Sequence, residues 1–146
     1  MEVPLSLFGP IDSILHGRVE YVLLVLALAN VAARAIAHKS TVQQAEQGDA
    51  EAITRHPALV ATHVLLVLSA FYYTTVHYHG GVVISVLVLG MVLTDFFEFE
   101  ARKVEVRNEM PIERPKAAMV SSLFVLGYAA YISIFFIVKP YWTQVV

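Results

Sequence analysis

The chain has no cysteine among its 146 residues. That excludes disulfides, thiolate nucleophiles, iron–sulfur clusters and cysteine zinc sites. It is also poor in charge: 15% of residues are charged and 58% are hydrophobic, where a soluble domain has about 25% and about 45–50%. A mean hydropathy of +0.66 leaves more apolar surface than the polar residues can cover in water. The charges are confined to short stretches, so the composition is that of a membrane protein. No basic stripe interleaved with aromatics points to nucleic acid. A cleavable signal peptide is not expected, because Glu2 stands where a basic segment would be and no suitable small-residue site follows.

Four apolar runs remain, at about 19–37, 58–76, 82–97 and 117–138. At 1.5 Å per residue they are roughly 24–33 Å long, against a hydrocarbon core of about 30 Å. Backbone groups in lipid must be satisfied within the segment, and no run alternates over barrel length, so helices are expected. The expected fold is all-α: one domain forming a four-helix transmembrane bundle. Pro57 precedes the second span, and Pro111 and Pro115 the fourth, as prolines at helix starts do. His79, Gly80 and Gly81 read as a tight turn joining spans two and three in an antiparallel hairpin.

Eight of the ten Lys and Arg fall on one side. Arg34, Lys39 and Arg55 flank the loop after span one. Arg102, Lys103, Arg107, Arg114 and Lys116 lie between spans three and four. Only Arg18 and Lys139 lie opposite, which predicts cytoplasmic charged loops and external termini.

Outside the spans, Phe8, Ile11 and Leu15 at helical spacing suggest a short N-terminal interfacial helix or a packed arm. Gln43 to Asp49 reads as a polar loop. Span three is expected to extend as a charged helix, with Glu98 and Arg102 four apart and Glu100 and Lys103 three apart. The residues from Val104 to Arg107 alternate enough to allow a strand instead. This charge run is either a solvated face or a docking surface. The stretch Asp95-Phe96-Phe97-Glu98-Phe99-Glu100-Ala101-Arg102-Lys103, the pair Glu20-Tyr21 and the tail Pro140-Tyr141-Trp142 resemble an uncharacterised family of small haloarchaeal membrane proteins. The resemblance implies a location in a membrane and no activity.

Two constellations bear on chemistry. His77 and His79, beside Tyr72 and Tyr73 at the hairpin and with His16 on the same side, have the spacing to share a metal. Without a carboxylate they read as part of the interfacial aromatic belt, which Tyr141 and Trp142 continue, and no metal is expected. At the opposite end, a hairpin centred on His79 and Gly80 sets His63 level with Phe96 and beside Asp95. Asn30, Arg34 and His38 recur every four residues down span one, and Ser121 and Ser122 enter span four at the same depth. Asn30, Arg34, His63, Asp95, Ser121 and Ser122 therefore form a candidate polar cluster. It is either a proton or ion relay, the floor of a small-molecule site, or a structural ion pair of Arg34 with Asp95. A haem would need a histidine opposite His63, and His38 is the one partner the spacing offers; no cofactor is expected.

Small residues complete the pattern. Ala29, Ala33 and Ala37 stripe span one; Ala117, Ser121, Ala129 and Ser133, broken by Val125, stripe span four; Gly90 and Thr94 lie four apart on span three. The expected function is that of a non-enzymatic protein acting through association, as an accessory or scaffold subunit of a membrane complex or as a homo-oligomer. The alternative is a proton or ion conductor using the polar cluster. An enzyme ranks third, since Ser121 and Ser122 lack a base beyond His63.

Overall fold

The computed structural model describes residues 9–15, 17–48 and 50–145. Five α-helices follow one another: α1 (Gly9–Leu15), α2 (Val19–Gln47), α3 (Pro57–Val76), α4 (Tyr78–Arg107) and α5 (Lys116–Val145), with a 3-10 turn at Ala50–Ala52. No strand occurs among the described residues. Helices α2 to α5 are long and apolar enough to cross a membrane. They form the expected bundle, each packing against two neighbours in the ring α2–α3–α4–α5.

Local chemistry sets the boundaries. Gly17 takes φ 72°, the left-handed conformation that lets the chain turn from α1 into α2. Pro57 opens α3, and His56 caps it by accepting a hydrogen bond from the Ala58 N–H on Nδ1 at 3.2 Å. Glu98 Oε1 accepts the Ala117 N–H at 3.2 Å and so caps α5 from the neighbouring helix. At the hairpin, a Cβ on Gly81 would lie 2.1 Å from the Thr74 Cα. Only glycine permits α3 and α4 to meet this closely.

Three expectations about the elements change, and one left open is settled. Residues 43–47 continue α2 instead of forming a loop, because glutamine, alanine and glutamate are good helix formers in water. The hairpin break falls at His77, and His79, Gly80 and Gly81 belong to the first turn of α4. The stretch from Val104 to Arg107 is helix, as expected for the charged extension of span three, and not the alternative strand. Helix α5 runs on past 138 with Pro140 inside it, where the missing N–H removes one helical hydrogen bond. The N-terminal helix is present but only seven residues long; Leu15 packs on the core and Ile14 is exposed. Phe8 lies outside the described residues.

The core joins Leu23, Leu66, Ile84, Val88, Met91 and Val125, all essentially inaccessible. Leu28, Leu68, Val86, Leu93, Phe124 and Ile134 point outward and are exposed. A soluble bundle would not carry such a surface, whereas lipid wets it at no cost. In lipid the cohesion of the bundle rests on close packing and internal polar contacts, not on expulsion of water. The small-residue stripes serve that packing in part: Ala33, Ala37, Ala129 and Ser133 are buried, and Ser133 Oγ donates to the Glu20 carbonyl at 3.0 Å, locking α5 to α2. Ala29 is exposed.

Candidate functional site: a closed polar network and an open one

At the end of the bundle that carries the charged connections, α2, α3 and α4 bring four of the six cluster residues together. Arg34 presents both terminal nitrogens to Asp95. Its Nη1 bonds Oδ1, and its Nη2 lies 2.7 Å from Oδ2. Nη2 also donates to Asn30 Oδ1 at 3.1 Å. Asn30 passes the contact on, donating from Nδ2 to Thr62 Oγ1 at 2.9 Å. His63 Nε2 stands 2.7 Å from Asp95 Oδ2. That distance is an ion-pair approach, although Nε2 does not meet the geometry of an aligned hydrogen bond. Arg34, Asn30, His63 and Asp95 are all at least nine-tenths buried.

A planar guanidinium matches a carboxylate in two parallel bonds, and each ion removes the cost of burying the other. The Arg34–Asp95 pair by itself carries no net charge. A cavity of about 60 Å³ borders Arg34, His63 and Asp95 on the side of the charged connections. It has room for a water or two.

Ser121 and Ser122 do not join this network. Ser121 Oγ donates to the Ala117 carbonyl at 2.9 Å and reaches Thr94 Oγ1 at 3.4 Å. Ser122 Oγ donates to the Met119 carbonyl at 2.7 Å. Hydroxyls one turn into a helix bond back to their own carbonyls, and these two do. Thr62, which links Asn30 to α3, went unnoticed in the sequence because threonine in an apolar run carries no signal of its own. His38 is half-buried and lies in the positive fields of Arg102 and Arg114.

The charged extension of α4 is more than a solvated face. Arg102 is buried and binds Glu98 at 3.3 Å, Glu105 at 2.9 Å and the Glu113 carbonyl. Glu105 in turn accepts the Glu113 N–H at 3.3 Å, so this arginine fastens the connection to α5. The expected pairing of Glu100 with Lys103 is not among the ion pairs of the described residues; Lys103 lies over the Phe99 ring at 5.0 Å instead.

The opposite, hairpin end holds a site that sequence reasoning missed. Glu20, the second residue of α2, is 2% exposed. Its Oε1 lies 3.6 Å from His77 Nε2, and its Oε2 is buried with no hydrogen-bond partner among the described residues. A cleft of about 720 Å³ opens over it, walled by Tyr73, Tyr78, Tyr131 and Phe135. The available signal was an ionisable residue inside an apolar run, which by default marks function. His79 borders the same cleft. No group of three or more His, Asp or Glu suited to a metal occurs among the described residues. His16 lies outside them.

A family model described as a domain of unknown function (DUF7313) matches residues 3–146, nearly the whole chain. No curated protein and no solved structure matches the chain.

Proposed function

The chain belongs to the DUF7313 family, and from that premise we propose that it is a non-enzymatic membrane protein that acts through association, as an accessory subunit or a homo-oligomer. The observation that carries this reading is a pair of bare glycines in the lipid-facing surface. Gly90 of α4 and Gly127 of α5 are exposed, and a Cβ added at either would meet nothing within 4 Å. A glycine inside a helix costs about 1 kcal/mol relative to alanine. Nothing inside this chain requires one at either position, whereas close approach of a second helix does.

A non-catalytic reading is supported by the serines, whose hydroxyls are turned to their own helix carbonyls, and by His63, which faces Asp95 rather than a nucleophile. Conduction finds less support. Leu23, Leu66, Ile84, Val88 and Met91 form a dry layer between the two polar ends. The haloarchaeal likeness of residues 95–103 and of the aromatic tail belongs to the same proposal.

Molar mass by light scattering in a mild detergent tests association. The expected result is a complex larger than one chain, reduced to a monomer by Gly90→Leu with Gly127→Leu. A monomeric wild type that retains no partner contradicts the reading. Sidedness, with the charged connections cytoplasmic, is part of the proposal and rests on the distribution of Lys and Arg. The absence of native cysteine makes labelling clean. In intact cells an impermeant thiol reagent is expected to reach His79→Cys and to miss Gln47→Cys; the reverse pattern inverts the orientation.

A further inference from the structure

We propose that the cleft over Glu20 binds an organic cation, with an ammonium group held by the Glu20 carboxylate and its substituents against the aromatic walls. This inference stands apart from association and does not depend on it.

The first support is an unused acceptor. Glu20 is buried, yet Oε2 has no partner among the described residues, and the nearest cationic candidate, His77, is 3.6 Å from the other oxygen and half-exposed itself. A buried carboxylate is expensive unless something positive faces it. The first turn of α2 supplies part of that, since the positive end of the helix dipole lies there. The Ser133 bond to the Glu20 carbonyl holds the backbone in place, so the side chain is positioned rather than loose.

The second support is the shape and chemistry of the space. A cleft of about 720 Å³ falls in the range of small-molecule sites, about 300–1,000 Å³. Tyr131 and Phe135 stack at 6.0 Å on one wall, and Tyr73, itself buried, forms another. Gly80 permits this, because a Cβ there would sit 3.1 Å from the Tyr73 ring. Aromatic faces attract ammonium groups, most strongly when the cation sheds water. A bare metal ion is a poor fit, having one carboxylate and no group of three ligands among the described residues. Lys139 borders the cleft from an exposed position, where solvent screens its repulsion.

Choline is the probe, and its neutral carbon isostere 3,3-dimethylbutanol is the control. The purified full chain is placed in nanodiscs, and thermal unfolding is followed at constant ionic strength. Choline is expected to raise the unfolding midpoint in a saturable way, and the isostere to leave it unchanged. Glu20→Gln should weaken choline roughly 10- to 100-fold, because the quaternary ammonium donates no hydrogen bond and is held by the facing charge that this change removes. Tyr131→Ala, which leaves the carboxylate in place and serves if Glu20→Gln does not fold, should weaken it about threefold.

Discs of phosphatidylglycerol and of phosphatidylcholine separate a free ligand from a lipid headgroup. A choline shift seen only in phosphatidylglycerol means that bilayer headgroups already fill the cleft; equal shifts in both mean a free ligand. Either supports ammonium recognition. Equal shifts by choline and its isostere, no choline shift in phosphatidylglycerol, or undiminished choline binding in Glu20→Gln would overturn it.

Discussion

Two carboxylates are buried in this bundle, at opposite ends, and their surroundings differ. Asp95 meets a two-pronged guanidinium and an imidazole, so both its oxygens face a cation or a ring nitrogen, and Asn30 and Thr62 extend the contacts. The atoms left without a hydrogen bond there are Arg34 Nε and His63 Nε2, not the carboxylate. Glu20 is equally buried but has one distant imidazole, one free oxygen and a cleft above it. Burial imposes the same electrostatic demand on both. The chain meets that demand internally at Asp95 and leaves it partly open at Glu20. A closed network ties helices together, whereas an open one is where a second molecule gains most by binding.

The largest expected effect breaks the closed network. Removing one partner of a buried pair costs about 3–5 kcal/mol, because the other charge is stranded. Arg34→Gln should therefore lower the midpoint of thermal unfolding in detergent markedly, toward the lower part of that range if water enters beside the pair. Arg34→Gln combined with Asp95→Asn should recover part of the loss. A double variant that loses as much as the two singles added together would mean the charges act separately.

Gly81→Ala follows. It drives a methyl group into the Thr74 backbone, which cannot swing aside. A loss of about 1–3 kcal/mol is expected from such overpacking, read in the same melts. No loss would show that the hairpin end is looser than the packing implies. Thr62→Val is smaller, about 1 kcal/mol for one hydrogen bond. It should leave the Arg34–Asp95 pair intact, so restoring Asn30 contacts by Thr62→Ser should return most of the stability.

These contrasts trace how much the sequence carried. The spans were legible because lipid imposes one length and one polarity on whole segments. The meeting of His63 with Asp95 was legible for a related reason: a one-residue connection at His77 leaves α3 and α4 almost no freedom of register. Arg34 could be placed because it lies one turn from Asn30 on a single face. The end of α2 was not legible, since residues 43–47 are as polar as a loop yet favour helix. Arg102 was hidden inside a run of charges whose sum looks solvated, and only the connection after α4 folds over it. Glu20 was visible as an interruption in an apolar run. Its open oxygen was not, because that depends on where α3, α4 and α5 place His77, Tyr73 and Tyr131.

The most direct test sets the two carboxylates side by side. Asp95→Asn and Glu20→Gln are each unfolded by heat in the same detergent without added ligand. Both changes remove one charge and preserve shape. Asp95→Asn should lose about 3 kcal/mol, whereas Glu20→Gln should change stability by less than about 1 kcal/mol, because its one ion pair, to half-exposed His77 at 3.6 Å, is long and screened. Equal losses would contradict the account, for they would mean that Glu20 is as fully paired as Asp95 and that the hairpin end is closed too.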